Sequence, residues 1–143
     1  MAYFQNISEL ETFIKLNILA DIIEVDNVLS GETLSTYPIL QDVEGKALAI
    51  MQSYLHNYDF TALQAIKDQF FTTHLINIFL YLLVCRVNYS KVSDNVLINY
   101  KETMSMMKDI SLGKFTPTNW ITNTSKAYTS VLWHSEQKIN TIY

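Results

Sequence analysis

The sequence Leu-Ile-Asn-Ile-Phe-Leu-Tyr-Leu-Leu-Val, residues 75–84, is the most apolar stretch of the 143-residue chain. Asn77 interrupts it, His74 precedes it and Arg86 follows it. A membrane span needs about 20 predominantly apolar residues, so we interpret this stretch as a buried core helix and not as an anchor. A helix that is apolar nearly all round must be surrounded by its own domain or by neighbouring subunits. Because the rest of the chain offers few helices to do this, the stretch also favours subunit association.

The core stretch belongs to a longer helical segment, predicted over residues 61–87. Thr61 to Gln64 resembles a capping box at its start. At about 1.5 Å per residue, one continuous helix over this segment would be about 39 Å long. Such a helix is long enough to cross a small domain.

Three further segments predict helices on either side of the core stretch. A capping box of Ser8 and Glu11 opens the first, and a second short turn follows around residues 20–23. Pro38 suits the first turn of the next, whose apolar residues recur every three or four positions as far as residue 58. Ser93 or Asp94 caps the last, which ends at Gly113. The predicted fold is therefore all-α, a small bundle of four main helices.

The composition changes after residue 115. Residues 116–135 hold eight Ser or Thr together with both tryptophans, and helix-forming residues are scarce. This favours extended, partly β-like structure. We divide the chain into a helical domain, residues 1–115, and a C-terminal arm, residues 116–143, which either docks on a partner or folds back over the helices. We expect the helical domain to fold without the arm.

Composition and motifs argue against an enzyme. Three glycines cannot form a glycine-rich phosphate cradle, and one cysteine excludes an intrachain disulfide or a multi-cysteine metal site. The three histidines, His56, His74 and His134, lie in different segments without metal-ligand spacing. No hydrolase, zinc-protease, Walker or Rossmann motif occurs. We predict no catalytic residue, no cofactor and no metal.

Charge is unevenly distributed along the chain. Residues 1–59 carry a net charge of −7, whereas residues 60–143 carry +3. This layout suits head-to-tail contact between identical subunits, although two differently solvated faces would give the same pattern. A single arginine and scattered lysines form no dense basic stripe, so we expect no sequence-specific binding to nucleic acid. The N-terminus lacks the pattern of a signal peptide.

The order of the segments resembles a known family. The opening Met-Ala-Tyr and residues 7–10, Ile-Ser-Glu-Leu, resemble the start of the small helical head–tail connector proteins of tailed phages, in their Mu-like branch. Residues 43–58, with the pattern Val-x-x-x-Ala-x-x-Ile-x-x-x-Tyr-Leu-x-x-Tyr, resemble that family's second helix. Residues 99–104 and 107–114 resemble its last helix, which ends in an aliphatic-x-x-Gly-Lys stop. The likeness covers residues 1–115.

The resemblance implies a structural virion protein at the head–tail interface, present in the host cytoplasm during assembly. It implies a ring of twelve copies that contacts the portal protein and the tail or further neck proteins, with room for DNA in the lumen. Connectors of this kind reach the portal through a C-terminal segment. The residues that would bind the partner are then Trp120, Ile121, Tyr128, Val131, Leu132, Trp133 and Ile139.

An alternative function belongs to a different class. A small helical module could bind a host or viral protein in a groove lined by methionine and aromatic side chains. Met104, Met106 and Met107 are the candidates for such a groove, although methionines at this spacing more often fill a core.

Overall fold

A computed structural model describes residues 3–88 and 92–122, except for the side chain of Asn88. Within these ranges the chain forms six α-helices and one short 3-10 turn, and no β-strand. The helices are α1 (Ile7–Glu11), α2 (Leu16–Ile22), α3 (Pro38–Tyr54), α4 (Phe60–Ile66), α5 (Gln69–Asn88) and α6 (Asp94–Ser111), and the 3-10 turn is Leu34–Thr36. The all-α prediction is confirmed.

Three long helices make the centre of the fold, with α5 between α3 and α6. Helix α3 buries Leu40, Val43, Ala47 and Met51, which recur at the three- and four-residue spacing of one helix face. Helix α5 buries residues on more than one side because it has a neighbour on each. The core stretch is thus enclosed in part by its own chain, as the sequence predicts.

The segment predicted as one helix over residues 61–87 is two helices, and that prediction is wrong. Helix α4 ends where Lys67 takes the left-handed conformation, with a φ of 52°. Asp68 then starts α5: its carboxylate accepts from the backbone N–H of Phe71, and its carbonyl accepts from that of Thr72. A side chain that caps a new helix favours a break at this point over a continuous helix.

The predicted helix starts are correct in part. Ser93 accepts a hydrogen bond from the Val96 N–H, as predicted, and Pro38 occupies the first turn of α3. The capping box at Ser8 and Glu11 is wrong, because the Ser8 hydroxyl donates to the Asn6 side chain instead. In α4 the cap is not Thr61, since Asp59 accepts from the Ala62 N–H.

The first seven residues of the predicted arm pack against the helical body. Pro117 and Trp120 are buried. Tyr58 and Thr122 form an isolated antiparallel bridge, and the Asp59 N–H donates to the Ile121 carbonyl at 2.9 Å. Of the two alternatives for the arm, folding back therefore describes residues 116–122. Residues 123–143 lie outside the described part of the chain.

Helix α5 is long and apolar enough to cross a membrane by length and composition alone, over Gln69–Val87. In the fold it packs between α3 and α6, and 44% of that window is buried inside the protein. A core helix passes the same test of length and composition. That α5 is not an anchor remains a prediction.

Candidate interaction site

A cleft of about 430 Å³ opens where α2, the end of α5 and the start of α6 meet. Most of its lining is aliphatic. The lining residues are Ile18, Asp21, Ile22, Glu24, Val84, Val87, Ser93 and Val96. An apolar floor with a few polar groups at the edge is the composition of a surface that binds another molecule.

The cleft exists because the start of α6 is packed incompletely. Residues 94–102 include no buried side chain, whereas Thr103, Met107 and Ile110 in the second half of the helix are buried. Val96, which lines the cleft from α6, is only half-buried. On the opposite wall, Ile18 of α2 is 48% exposed. Two helices therefore present aliphatic side chains to one open space.

Among the described residues, the charged side chains that line the cleft are acidic. The lining residues, all within the described ranges, include the carboxylates of Asp21 and Glu24 and no lysine or arginine. Asp94, next to the lining residue Ser93, is exposed in the first turn of α6. Arg86, at the end of α5, forms an ion pair with Asp42 of α3. The apolar floor is thus bordered by acidic side chains.

Glu24 holds a backbone conformation that glycine normally takes. Its φ is 61°, in the left-handed region. It lies just after α2, where the Val25 N–H donates to the Ala20 carbonyl and the Glu24 N–H donates to the Asp21 carbonyl. This is the Schellman pattern that ends many helices, usually with glycine at this position. A carboxylate therefore stands on the cleft edge at some conformational cost.

A second polar cluster lies between α5 and α6. Thr103 is fully buried, accepts from the Asn77 amide at 2.9 Å, and lies 2.8 Å from His74 Nδ1. Either tautomer of the neutral imidazole can make this contact, because the hydroxyl has one donor and two acceptor sites. Burial lowers the pKa of His74, which favours the neutral form.

The pairing of a hydroxyl with an imidazole is also found in nucleophilic catalysis, but here no substrate can reach it. The hydroxyl of Thr103 is enclosed by the two helices. The described residues hold no cluster of three His, Cys, Asp or Glu side chains placed for a metal ion. We therefore assign the His74, Asn77 and Thr103 cluster to joining α5 and α6.

A third polar feature fixes the N-terminal segment. The Glu44 carboxylate, in a residue only 2% exposed, accepts from the Tyr3 N–H at 3.1 Å and the Phe4 N–H at 2.8 Å. Burial raises the pKa of Glu44, against the effect of these two hydrogen bonds. Lys67 donates to the Tyr3 carbonyl and lies 4.2 Å from the centre of the Tyr3 ring. These contacts fasten the segment over α3 and the start of α5.

The residues predicted to bind a partner fall into three groups. Trp120 is buried against Tyr58 and Phe71, and its indole N–H donates to Asp68 at 3.1 Å, so its side chain is not offered to a partner. Ile121 is exposed. Tyr128, Val131, Leu132, Trp133 and Ile139 lie outside the described residues.

The cleft was not predicted from the sequence. One signal was present, because Val96, Leu97 and Ile98 are consecutive and cannot all lie on one buried face of a helix. The methionines were read correctly as core residues: Met107 is buried, and Met104 and Met106 pack against the core. Comparison of the chain with family models, curated proteins and solved structures gave no match.

Proposed function

We propose that the protein is a structural adaptor of a tailed-phage virion, a head–tail connector whose copies form a ring between the portal and the tail. The cleft between α2, α5 and α6 carries this proposal. It is an open, largely aliphatic surface on a small helical body, which suits contact with protein. The motifs that resemble the connector family supply the particular class of assembly.

The parts of the chain that carry the resemblance have structural roles that fit a compact adaptor body. Val43, Ala47 and Leu55 are core residues of α3 and its C-terminal cap. Gly113, in the Gly-Lys stop, ends α6 with a φ of 78°. The resemblance thus rests on residues that shape the bundle and its last helix.

The partners follow from the same proposal. The portal protein and the tail or further neck proteins would contact the ring, with Ile121, Tyr128, Val131, Leu132, Trp133 and Ile139 directed to the portal. The protein would act at the head–tail interface of the virion and occupy the host cytoplasm during assembly. No catalytic step is part of this function.

Labelling of intact particles tests the proposal. Gold-labelled antibodies against the chain should bind tailed particles at the junction of head and tail. Particles from cells that lack the protein serve as the control. Label spread over the capsid, or absent from all particles, would contradict the proposed location.

A module that captures a host or viral protein in a groove lined by methionine and aromatic side chains is the alternative, and stoichiometry separates the two functions. An adaptor mixed with its portal should form a large assembly with many copies of the chain. A module should form a small complex with one copy of each component. Light scattering after size exclusion measures the difference directly.

A further inference from the structure

Helix α6 forms one wall of the cleft with its first turn. Its opposite end, the C-terminal end, indicates what binds in the cleft. Helix α6 has 18 residues and is about 27 Å long. Its first turn borders the cleft, and its last turn leads into residues 112–115. These two sites cannot meet within one chain, because a straight helix separates them.

Residues 112–115, which we call the protrusion, are all exposed and carry apolar and basic side chains. Leu112 is 60% exposed and Phe115 is 42% exposed. Lys114 lies between them, and Lys108 is exposed one turn earlier on α6. Asp109 is the acidic neighbour, and it is half-buried. The protrusion therefore offers positive charge next to aliphatic and aromatic surface, which complements the acidic side chains among the described lining residues of the cleft.

The protrusion is held in a defined shape. The Gly113 N–H donates to the Ile110 carbonyl at 3.1 Å, and the Lys114 N–H donates to the Asp109 carbonyl at 2.9 Å. The ring of Phe115 stacks on Phe70 with centroids 5.8 Å apart. A protrusion that is already ordered loses little conformational entropy when it binds.

We propose that the protrusion of one copy, residues 112–115, inserts into the α2–α5–α6 cleft of the next copy. Leu112 and Phe115 would cover Ile18, Val84 and Val96. Lys108 and Lys114 would face Asp21 and Glu24. The contact is heterologous, so an open assembly of any length keeps one free cleft and one free protrusion at its ends until a ring closes. The inference rests on the proposed function, since it names the subunit contact of that ring.

The way in which α2 and α6 end supports the proposal that acidic side chains of the cleft face lysines of the protrusion. The Schellman hydrogen bonds that end α2 at Glu24 also end α6 at Gly113. The protrusion has the usual glycine, whereas the cleft has a carboxylate at the equivalent position. A conformational cost accepted at the cleft edge fits a role for the Glu24 side chain in contact with a cation.

Reversal of charge on each side tests the contact with the full chain. Asp21→Lys with Glu24→Lys reverses the cleft, and Lys108→Glu with Lys114→Glu reverses the protrusion. Each variant alone should self-associate about tenfold or more weakly than the wild type, because like charges then face each other. An equimolar mixture of the two should regain association, with the variants alternating. Sedimentation velocity over a range of concentrations measures this.

Controls make every outcome informative. The variant Glu11→Lys with Glu102→Lys makes the same charge change as the cleft variant, on exposed positions of α1 and α6, and it should associate like the wild type. Circular dichroism verifies that each variant is folded. Single variants that associate normally, or a folded mixture that does not recover, would overturn the proposed contact.

A wild-type chain that stays monomeric up to about 1 mM would also overturn it, because neighbours on a common ring meet at about this effective concentration. If removal of residues 123–143 then causes association, the chain's own C-terminus occupies the cleft instead. The self-association experiments test the subunit contact, and antibody labelling of particles tests the proposed location, so the two can fail separately. A protein located in the neck could fail this test, and a protein that passes it could be absent from particles.

Discussion

The two halves of α5 differ both in apolar content and in surroundings, since five of residues 69–78 and eight of residues 79–88 are apolar, yet the less apolar half is the better covered. In the first half, Phe71 and Leu75 are fully buried, and the N-terminal segment, α4 and Trp120 close over that end. In the second half, Leu82 and Val87 are only partly buried, and Val87 lines the cleft. We call these the closed end and the open end of α5. The difference teaches that apolar content alone does not say which part of a helix its own chain will cover.

Truncation of one leucine at each end should give the largest difference. Leu75→Ala should lower the free energy of unfolding by about 2–5 kcal/mol, because a buried leucine leaves a cavity. Leu82→Ala, two turns later on the same helix, should cost about 1 kcal/mol, since its side chain is already partly exposed. Urea unfolding measures both losses in the free energy of unfolding, provided that the dependence on urea concentration is the same for wild type and variants. Equal losses would show that the two ends are packed alike.

Truncation of the chain at its C-terminus tests whether Trp120 stabilises the closed end of α5. A chain ending at residue 115 loses Trp120, and it should be less stable by about 3 kcal/mol or more. A chain ending at residue 122 keeps the indole and its hydrogen bond to Asp68, and its helical core should stay within about 0.5 kcal/mol of the full chain. Thermal and urea unfolding by circular dichroism compare the two. An unaffected chain ending at 115 would restore the boundary predicted from the sequence.

The pH dependence of stability tests the N-terminal contacts at the closed end. Burial raises the pKa of Glu44 above its ordinary value of 4.5. Its contribution to stability is therefore fully present below the ordinary value, and it is lost as the pH rises through the raised pKa. Glu44→Gln removes this titration. The stability of the wild type minus that of the variant should fall as the pH rises from 4 to 8.

The variant also has a fixed cost. The glutamine carbonyl can accept from only one of the two N–H groups at Tyr3 and Phe4, and this should cost about 1–3 kcal/mol at the low end of the pH range. A stability gap that widens with rising pH would mean that the two hydrogen bonds outweigh burial. The pKa of Glu44 would then be lowered instead of raised.

The smallest effects compare the two helix endings on opposite sides of the proposed contact. Glu24→Gly should raise the free energy of unfolding by about 0.5 kcal/mol, because glycine adopts a positive φ freely. It should nevertheless weaken self-association. Gly113→Ala should lower stability by about 1 kcal/mol, because alanine is strained at a φ of 78°. Loss of stability in Glu24→Gly would contradict the account of this position.

Local signals in the sequence predict some of the helix starts and ends, although the caps at Ser8 and Thr61 are wrong. The Pro38 start, the Ser93 cap and the Gly113 stop are all in the structure. The break at Lys67 could not be predicted, since neither Lys67 nor Asp68 is a strong helix breaker and the break is stabilised by Trp120, more than 50 residues away. Tertiary contacts overrode the local pattern there.

The cleft could not be predicted from the sequence either, because it depends on tertiary packing. The apolar pattern of α6 predicts which residues face inward, but the exposure of its first turns, within the described residues, depends on how α2 and α5 are placed. The exposure of residues 112–115 could not be predicted either, because a leucine and a phenylalanine near a helix end are usually expected to be buried. The uneven charge was visible from the start, and it agrees with the acidic cleft and the basic protrusion.

Hydrogen exchange of the full chain, measured at low and at high protein concentration, tests the central claim most directly. The claim is that the open end of α5 is covered by another copy. Backbone amides of residues 18–25, 93–98 and 112–116 should gain protection together as the concentration rises, while those of residues 71–79 should not change. Unchanged exchange at the cleft, or new protection confined to the closed end, would contradict the account.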